Sequence, residues 1–500
     1  MPEMRKLNSP TIQSNNIIFY MYRHINPAAE TYGPRSRAYE QGKYGRLFPW
    51  LPPQSSNIEE DKEDFKKIAK AMLKGRSKFN VATAGYTYFG QFIAHDLTFD
   101  PTSIGERQVD PECLWNFRTP ALDLDSLYGS GPLAEPIYYD SNQGNIRTKF
   151  RLEKTKGFYD LPRVTGKNGK RFDAIIPDQR NDENIIVSQL HFAFMKLHNI
   201  LFERELKKNK KIDREILLNV FLKTQQLVRW RFQYVTIHDY LKTVVDGKNI
   251  VTYPSSITNE ILNGNGPNCP KLKFFDWRNE PFMPLEFSTA VFRFGHSQIK
   301  GCYDFNDQEP QKLLFSARRK GREPFTYVDW SKFFFNKESS AGNLGNGIMN
   351  KISQQITPLP DVTTPLEISL PYRNLVKGLM MELPSGQSVA NAMGIKPIDD
   401  RDFSIFPKDF SKKLREKYKN NTPLWYYILL EGAQNEGQKL GDVGGKIVAE
   451  VIIGLILGDK TSFLNQFPNW KPSKENDEPY QDYSIIDMLE EANIYHGALA

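Results

Sequence analysis

The sequence predicts a mainly α protein, a single large helical domain with little β structure. Apolar residues recur every three or four positions over long stretches, most clearly in Asp182–Lys208. Strand-like alternation is scarce and local, as in Pro136–Tyr139. No repeat, low-complexity block or change of composition divides the chain. We therefore expect one domain over residues 61–500, although this length would allow roughly two to four domains.

The elements follow in order along the chain. Residues 1–60 are rich in Pro, Gly and Tyr with little periodicity, which predicts an extended N-terminal arm packed on the domain. The amphipathic, charged stretch Asp61–Lys78 predicts a surface helix. Further helices are predicted over Thr83–Leu97, Asp182–Lys208, Arg214–Leu241, Phe287–Ile299, Tyr372–Leu383, Pro423–Gly432 and Gly445–Leu457.

Composition excludes several classes of protein. The net charge of +7 is mild for 500 residues, and no zinc-finger pattern or long basic helix is present, so we expect no nucleic-acid partner. The most apolar run, Val451–Leu457, is too short to span a membrane. The first residues lack the apolar core of a secretory signal, and the three cysteines form no CxxC pair. A cytoplasmic location is therefore expected, and export by a non-classical route is left open.

The segment GQFIAHD carries the first candidate site. Gln91 and His95 are four residues apart, so they share one face of the predicted helix. Asp96 points about 100° away, towards a different neighbour. The flanking residues are apolar, and buried polar groups are costly unless they are partnered, which favours a functional site. A lone histidine in such a helix would more often be a core residue with one hydrogen-bond partner.

An oxygen-rich loop, RTPALDLDSLYG, lies at residues 118–129. Oxygen donors alternate along it in the way that suits a calcium ion, which takes roughly six or seven oxygens at ~2.3–2.6 Å. A turn rich in Asp and Thr is the alternative explanation. The candidate ligands are the side chains of Thr119, Asp123 and Asp125, the carbonyl of Ala121, and Asp96 from the preceding helix.

Three further motifs are weaker individually. Arg180 precedes a helix whose first turn contains Glu183, and helix capping alone would explain an acidic residue there. Arg293 and His296 lie in the aromatic-rich VFRFGHS, where a histidine usually packs in the core. Asn374 lies in PYRNLVKG.

Together and in this order, the five motifs resemble those of the haem peroxidases related to myeloperoxidase and cyclooxygenase, the bacterial members most closely. The resemblance implies a distal His95 with Gln91 beside it, a distal Arg180, and His296 as the proximal ligand of the haem iron. It implies that Asn374 accepts the Nδ1–H of His296 and that Arg293 belongs to the family's Arg-x-Gly-His. The implied calcium ligands are Asp96, Thr119, Ala121, Asp123 and Asp125.

The resemblance also bears on how haem would be attached. Mammalian members hold the haem through ester bonds and a methionine link. Here Ala94 and Asn184 replace the residues for one ester and for that link. The implied cofactors are therefore haem b, with at most one ester through Glu183, and Ca²⁺.

The implied activity is reduction of hydrogen peroxide and oxidation of a small organic donor or halide through an oxoferryl intermediate, in the response to oxidative stress. His95 would act as general base and then acid, and Arg180 would stabilise the developing charge. One alternative is a fatty-acid dioxygenase of the cyclooxygenase type, which carries a tyrosine where this chain has Arg293. The other is a non-catalytic scaffold that binds haem and calcium, which would be expected to lack His95 or Arg180.

Overall fold

The computed structural model describes most of the chain. Residues 1–43 of the predicted arm lie outside the described part, and so do Cys113 and Cys269; Cys302 is a free thiol. The described residues are 44–74, 79–99, 116–143, 146–155, 157–167, 171–245, 272–275, 277, 281–314, 326–335, 342–354, 369–398 and 410–498.

Helices dominate the described residues, as predicted. In chain order they are α1 (Ile58–Met72), α2 (Ala84–Leu97), α3 (Asp125–Tyr128), α4 (Ile185–Lys207), α5 (Arg214–Val235), α6 (Leu241–Val244), α7 (Leu285–Thr289), α8 (Leu370–Met380), α9 (Gly386–Ala392), α10 (Lys412–Tyr418), α11 (Leu424–Gln434), α12 (Asp442–Gly458), α13 (Phe463–Gln466) and α14 (Ile485–Glu491).

The β structure consists of short two-stranded sheets. Three antiparallel hairpins follow one another between residues 139 and 174, in a region where only Pro136–Tyr139 was predicted to be strand-like. There the structure has a 3₁₀ turn, Pro136–Tyr138, followed by the first strand. The strands are β1 (Tyr44–Gly45), β2 (Phe79–Thr83), β3 (Tyr139–Gln143), β4 (Ile146–Phe150), β5 (Glu153–Thr155), β6 (Phe158–Asp160), β7 (Arg163–Thr165), β8 (Arg171–Ala174), β9 (Met283–Pro284), β10 (Cys302–Tyr303), β11 (Lys312–Leu313) and β12 (Leu344–Asn346).

The core is centred on α4, which contacts both α2 and α5. It is the one helix of the described residues with the length and hydropathy to cross a membrane, and 83% of its apolar window is buried inside the protein. The helix begins at Ile185 rather than at the predicted Asp182, because the Asn184 side chain accepts hydrogen bonds from the N–H groups of Ile186 and Val187.

The residues just before α4 form a separate 3₁₀ turn, Gln179–Asp182. The Asp178 side chain caps it by accepting a hydrogen bond from the Arg180 N–H. Its position is further held by Arg163, whose fully buried guanidinium binds both oxygens of Asp182 at 2.7 and 2.6 Å. This turn therefore presents Arg180 and its neighbours to α2 from a fixed backbone.

The predicted helix Phe287–Ile299 is two shorter pieces in the structure. Helix α7 ends at Thr289, and a 3₁₀ segment covers Val291–Ser297. Ala290 between them has φ −125° and ψ −67°, outside the helical region. The Arg293 side chain donates to the carbonyl of Ser288, which satisfies an acceptor freed by this break. The 3₁₀ segment contacts α2, so it faces the helix that carries His95.

Candidate functional site

His95 lies on α2 in a neutral, well-anchored state. Its side chain is buried, and its Nδ1 lies 2.8 Å from Oδ1 of Asn181 in the 3₁₀ turn. Burial and the nearby Arg180 guanidinium lower the pKa of His95 to about 3, so the ring is uncharged at neutral pH. Within the described part of the chain its Nε2 makes no hydrogen bond, which leaves that nitrogen available as a base.

Gln91 and Glu183, predicted from separate motifs, meet in the structure. Nε2 of Gln91 donates a hydrogen bond to Oε1 of Glu183. Oε1 of Gln91 in turn accepts one from Asn184 at 3.4 Å. Gln91 is one helical turn from His95, so the Glu183 carboxylate lies on the same side of α2 as the imidazole.

Arg180 is bound at the carboxyl end of α2, and within the described residues it makes no hydrogen bond to the ring of His95. Its guanidinium donates to the carbonyls of Thr98 and His95 at 2.6 and 2.8 Å. It also forms a two-point ion pair with Asp178, at 3.0 and 2.6 Å, and lies 4.7 Å above the ring of Phe99. The cation therefore complements the negative end of the helix dipole and acts on His95 through its charge.

His296 lies on the 3₁₀ segment, with Asn374 of α8 beside it. Nδ1 of His296 is 2.7 Å from Nδ2 of Asn374, whose Oδ1 accepts a hydrogen bond from Arg293 at 3.3 Å. Burial, followed by the charge of Arg293, lowers the pKa of His296 to about 3. The Trp425 indole N–H donates to the Arg293 carbonyl at 3.1 Å and so fixes the segment against α11.

The orientation of the Asn374 amide bears on the tautomer of His296. With Oδ1 on Arg293, the amide nitrogen donates to Nδ1 of His296, whereas the resemblance implied that Asn374 accepts from it. Iron binding through Nε2 requires the proton on Nδ1, and that tautomer requires the amide oxygen to face His296. The hydrogen bonds of Arg293, Asn374 and His296 are thus coupled, because the Asn374 amide bonds the Arg293 guanidinium at one end and the His296 imidazole at the other.

Three carboxylates predicted as calcium ligands cluster in the structure. Asp96, Asp123 and Asp125 each offer an oxygen, and these oxygens all lie within 4.8 Å of one another. Burial and the neighbouring Asp125 raise the pKa of Asp96 to about 7, and burial also raises the pKa values of Asp123 and Asp125. Carboxylates that repel one another in a buried site are stabilised by a shared cation.

The loop around this cluster contains the remaining predicted ligands. Ala121 is buried and Thr119 is half-buried. Asp96 is held against α3 by the hydroxyl of Ser126, at 2.8 Å. Among the described residues, Oδ1 of Asp125 is buried with no hydrogen-bond partner. This donor set fits a calcium ion, which prefers carboxylate and carbonyl oxygens at separations of this size.

A cavity of about 80 Å³ lies at the edge of the site. Three basic side chains from three elements line it, those of Arg180, Arg293 and Lys377, together with the hydroxyl-bearing Thr98 and Thr289. Positive charges beside hydroxyl groups suit a carboxylate, the group that a haem presents at its edge. The volume accommodates such an edge group rather than a whole porphyrin, for which several hundred Å³ are typical.

The residues around His296 also fit a haem. In the part of the chain that the structure describes, its Nε2 makes no hydrogen bond. Once the Asn374 amide is turned so that its oxygen accepts from Nδ1–H, this neutral imidazole is a usual iron ligand. A Cβ added at the neighbouring Gly295 would meet no atom within 4 Å outside its chain neighbours, so there is open space at the backbone position just before His296.

Some residues of this site were missing from the sequence-based prediction. Asn181 binds both His95 and, at 3.1 Å, Nδ1 of His191. Arg118 bridges Asp125 and Asp178, at 3.6 and 2.6 Å, and so connects the carboxylate cluster to the partner of Arg180. The only sequence feature that could have indicated Asn181 as a site residue is its position directly after Arg180. Nothing in the spacing of Arg118 indicated its role.

Residues 107–372 match the animal haem peroxidase family. The chain belongs to the animal haem peroxidase family. The matched stretch includes Arg180 and His296, whereas His95 and Asn374 lie just outside it.

This peroxidase-family chain is 23% identical to Peroxidase mlt-7 of Caenorhabditis elegans over 347 residues, which is 68% of this chain and 44% of that protein. It thus spans less than half the length of that relative.

Solved structures resemble this family member over nearly its whole length. Peroxidase A from Dictyostelium discoideum superimposes with a TM-score of 0.59 at 15% identity, covering 90% of each chain. The fatty acid alpha-dioxygenase of Arabidopsis thaliana gives 0.57 at 13% identity, covering 95% of this chain and 90% of that one. The Oryza sativa enzyme also gives 0.57, at 14% identity, covering 89% and 78%. These likenesses show a shared fold.

Proposed function

We propose that the protein is a haem peroxidase that reduces hydrogen peroxide and oxidises a small organic donor or a halide. The observation that carries the proposal is a pair of neutral imidazoles on facing elements. His95 and His296 each have Nδ1 held by an asparagine, and each has an Nε2 that no described residue binds. The Nε2 of His296 is suited to bind a metal, and the Nε2 of His95 is suited to accept and return a proton.

Separate residues of the chain serve haem binding, proton transfer and charge stabilisation. His296 would hold the iron, and Arg293 and Asn374 orient its ring. His95 takes a proton from bound peroxide at Nε2 and returns it to the leaving oxygen. Arg180, bound to the His95 carbonyl, contributes positive charge beside the ring. The haem, when bound, supplies the redox chemistry.

Gln91 and Glu183 lie beside His95 on the same side of α2. Their hydrogen bond holds the Glu183 carboxylate on the distal side, where an ester to the haem is proposed to form. Gln91 is proposed to order water or a halide. Calcium bound by Asp96 and the loop 118–129 is proposed to fix the orientation of α2, since Asp96 is adjacent to His95.

Reconstitution with haem tests the proposal. We expect a Soret band, peroxide-dependent oxidation of guaiacol, and about one calcium per chain. His296→Ala should lose the Soret band, whereas His95→Leu should keep it and react with peroxide about 10²-fold more slowly or worse. A protein that binds haem but gives no turnover with any donor or halide would be a scaffold. Oxygen uptake with palmitate and no guaiacol oxidation would indicate a dioxygenase instead.

A further inference from the structure

A buried chain of three side chains lies behind the base of the proposed reaction. We propose that Asn181 and His191 are positioning residues for His95, forming a hydrogen-bonded relay that keeps the proton on Nδ1 of His95 and the lone pair on Nε2. This inference rests on the proposed function, in which His95 is the base, and it adds two residues to that site.

The relay is continuous and enclosed. Asn181 and His191 have no solvent exposure, and His95 is 9% exposed. Oδ1 of Asn181 lies 2.8 Å from Nδ1 of His95, and Nδ2 of Asn181 lies 3.1 Å from Nδ1 of His191. No other side chain among the described residues binds either nitrogen of His95.

The two ends of one amide couple the two histidines. With its oxygen facing His95, Asn181 accepts from that Nδ1–H and must donate to an unprotonated Nδ1 on His191. If the amide were turned round, Nδ1 of His95 would become the acceptor and Nε2 would carry the proton. His95 would then be unable to take a proton from peroxide. The tautomer of His191 and the competence of His95 therefore change together.

His191 is a costly residue for a purely structural position. Its Nε2 is buried without a hydrogen-bond partner among the described residues, and burying such a group unpaired lowers stability. An apolar side chain would avoid that cost, but the Asn181 amide N–H would then lose its acceptor. His191 is thus the group that makes the productive orientation of Asn181 favourable.

The backbone that carries Asn181 is fixed independently of this relay. The Asn181 N–H donates to the Asp178 carbonyl at 3.0 Å, within the 3₁₀ turn. The adjacent Asp182 is bound by the buried Arg163. Replacing the Asn181 side chain therefore leaves the turn its main supports.

The experiment compares haem-loaded variants of Asn181 and His191 with a matched control. His198→Gln is the control, because His198 lies seven residues further along α4, is equally buried, and bonds to Tyr128 and Thr148 instead. Two rates are measured by stopped flow. One is the reaction with peroxide. The other is the association of cyanide with the ferric haem, in which hydrogen cyanide must give up its proton to bind as an anion.

Asn181→Leu should slow both rates by about 10–10²-fold, with the KM of the donor and the Soret band unchanged. Asn181→Asp should restore both to within a few-fold of wild type, because a carboxylate accepts from Nδ1–H. His191→Phe should slow both rates to a lesser degree, and His198→Gln should match wild type. If Asn181→Leu fails to retain haem, His191→Phe, which keeps Asn181, carries the test.

Wild-type rates in both Asn181→Leu and His191→Phe would overturn the relay. Equal slowing in Asn181→Asp and Asn181→Leu would also overturn it, because packing rather than an acceptor would then matter. His95→Leu separates this inference from the proposed function. If His95→Leu is slow and the relay variants are not, only the relay fails. If His95→Leu is as fast as wild type, His95 is not the base and the proposed function fails at that residue.

Discussion

At the scale of single residues, asparagines hold the two imidazoles of the site. Asn181 faces His95, and Asn374 faces His296. An asparagine amide has an acceptor end and a donor end, so it can impose a tautomer on a neutral imidazole while its other end binds a further group. That further group is His191 behind Asn181 and the cation of Arg293 behind Asn374. The two sides of the site therefore have different electrostatic surroundings.

Asn374→Asp should lower the reduction potential of the bound haem. A carboxylate can accept from Nδ1–H of His296 and from Arg293 together, which makes the imidazole a stronger donor to iron. Potentiometric titration of the Soret band measures this shift. Asn374→Leu is the matched loss-of-contact variant and should weaken haem retention by about 10–100-fold. An unchanged potential in Asn374→Asp would mean that Asn374 does not act on the ligand.

Asp123→Asn should reduce calcium binding and, with it, thermal stability. The three-carboxylate cluster loses one ligand, and calcium should then protect the variant less than the wild type. Calorimetry with and without added Ca²⁺ measures the difference, and an exposed aspartate outside the loop, Asp477, provides a control as Asp477→Asn. Equal protection of Asp123→Asn and wild type would show that the cluster is not the metal site.

At the scale of elements, the site depends on two 3₁₀ segments rather than on regular helices. Gln179–Asp182 presents Asn181 to α2, and Val291–Ser297 presents His296. Buried side chains hold each segment: Asp178 and Arg163 support the first, and Arg293 and Trp425 support the second. Irregular backbone at a site is stable only where such contacts are present.

Arg163→Met should destabilise the fold by about 3–5 kcal/mol, because the buried carboxylates of Asp160 and Asp182 would lose their counter-charge. Chemical denaturation of the haem-free protein measures the change in the free energy of unfolding. Arg147→Met is the control. Arg147 is exposed and bonds a carbonyl, so its loss should cost no more than about 0.5 kcal/mol. Similar costs for the two variants would contradict this account of the turn.

At the scale of the whole molecule, burial of histidines predicts sensitivity to acid. Burial lowers the pKa of His191 to about 3 and that of His198 to about 4, from an ordinary value of 6.5. The unfolded chain therefore binds protons between pH 6.5 and 4 that the folded chain does not. Stability is present in full above pH 6.5 and is lost as the pH falls through this window.

The free energy of unfolding of the haem-free protein should thus fall from pH 7 to pH 4.5. His198→Gln should be less stable at pH 7, since Tyr128 and Thr148 lose a partner, yet its dependence on pH should be shallower. A fully buried histidine with this shift contributes up to about 3 kcal/mol to the difference. Denaturation curves at three pH values measure it, and parallel profiles for both proteins would contradict the role of His198.

Much of the fold and part of the site followed from local sequence. The 3.6-residue period placed Gln91 and His95 on one face of a helix, and alternating oxygens indicated the loop beside Asp96. The hairpins between residues 139 and 174 were missed, because three-to-five-residue strands show too little alternation to be recognised. The prediction of one continuous helix over 287–299 was wrong. The helix breaks at Ala290, and the Arg293 side chain bonds the Ser288 carbonyl that the break leaves without a helical partner.

Sequence alone determined the residue types and their spacing within each helix or loop, from which the candidate site residues were predicted, because both are local properties. Tertiary structure decided which of them meet. Asn181 and His95 are 86 positions apart, and Arg293 and Asn374 are 81 apart. It also decided that Arg180 binds the carboxyl end of α2 and the Asp178 carboxylate. Contacts of this kind form only when separate elements pack against one another, and the geometry of that packing is set by the whole buried core.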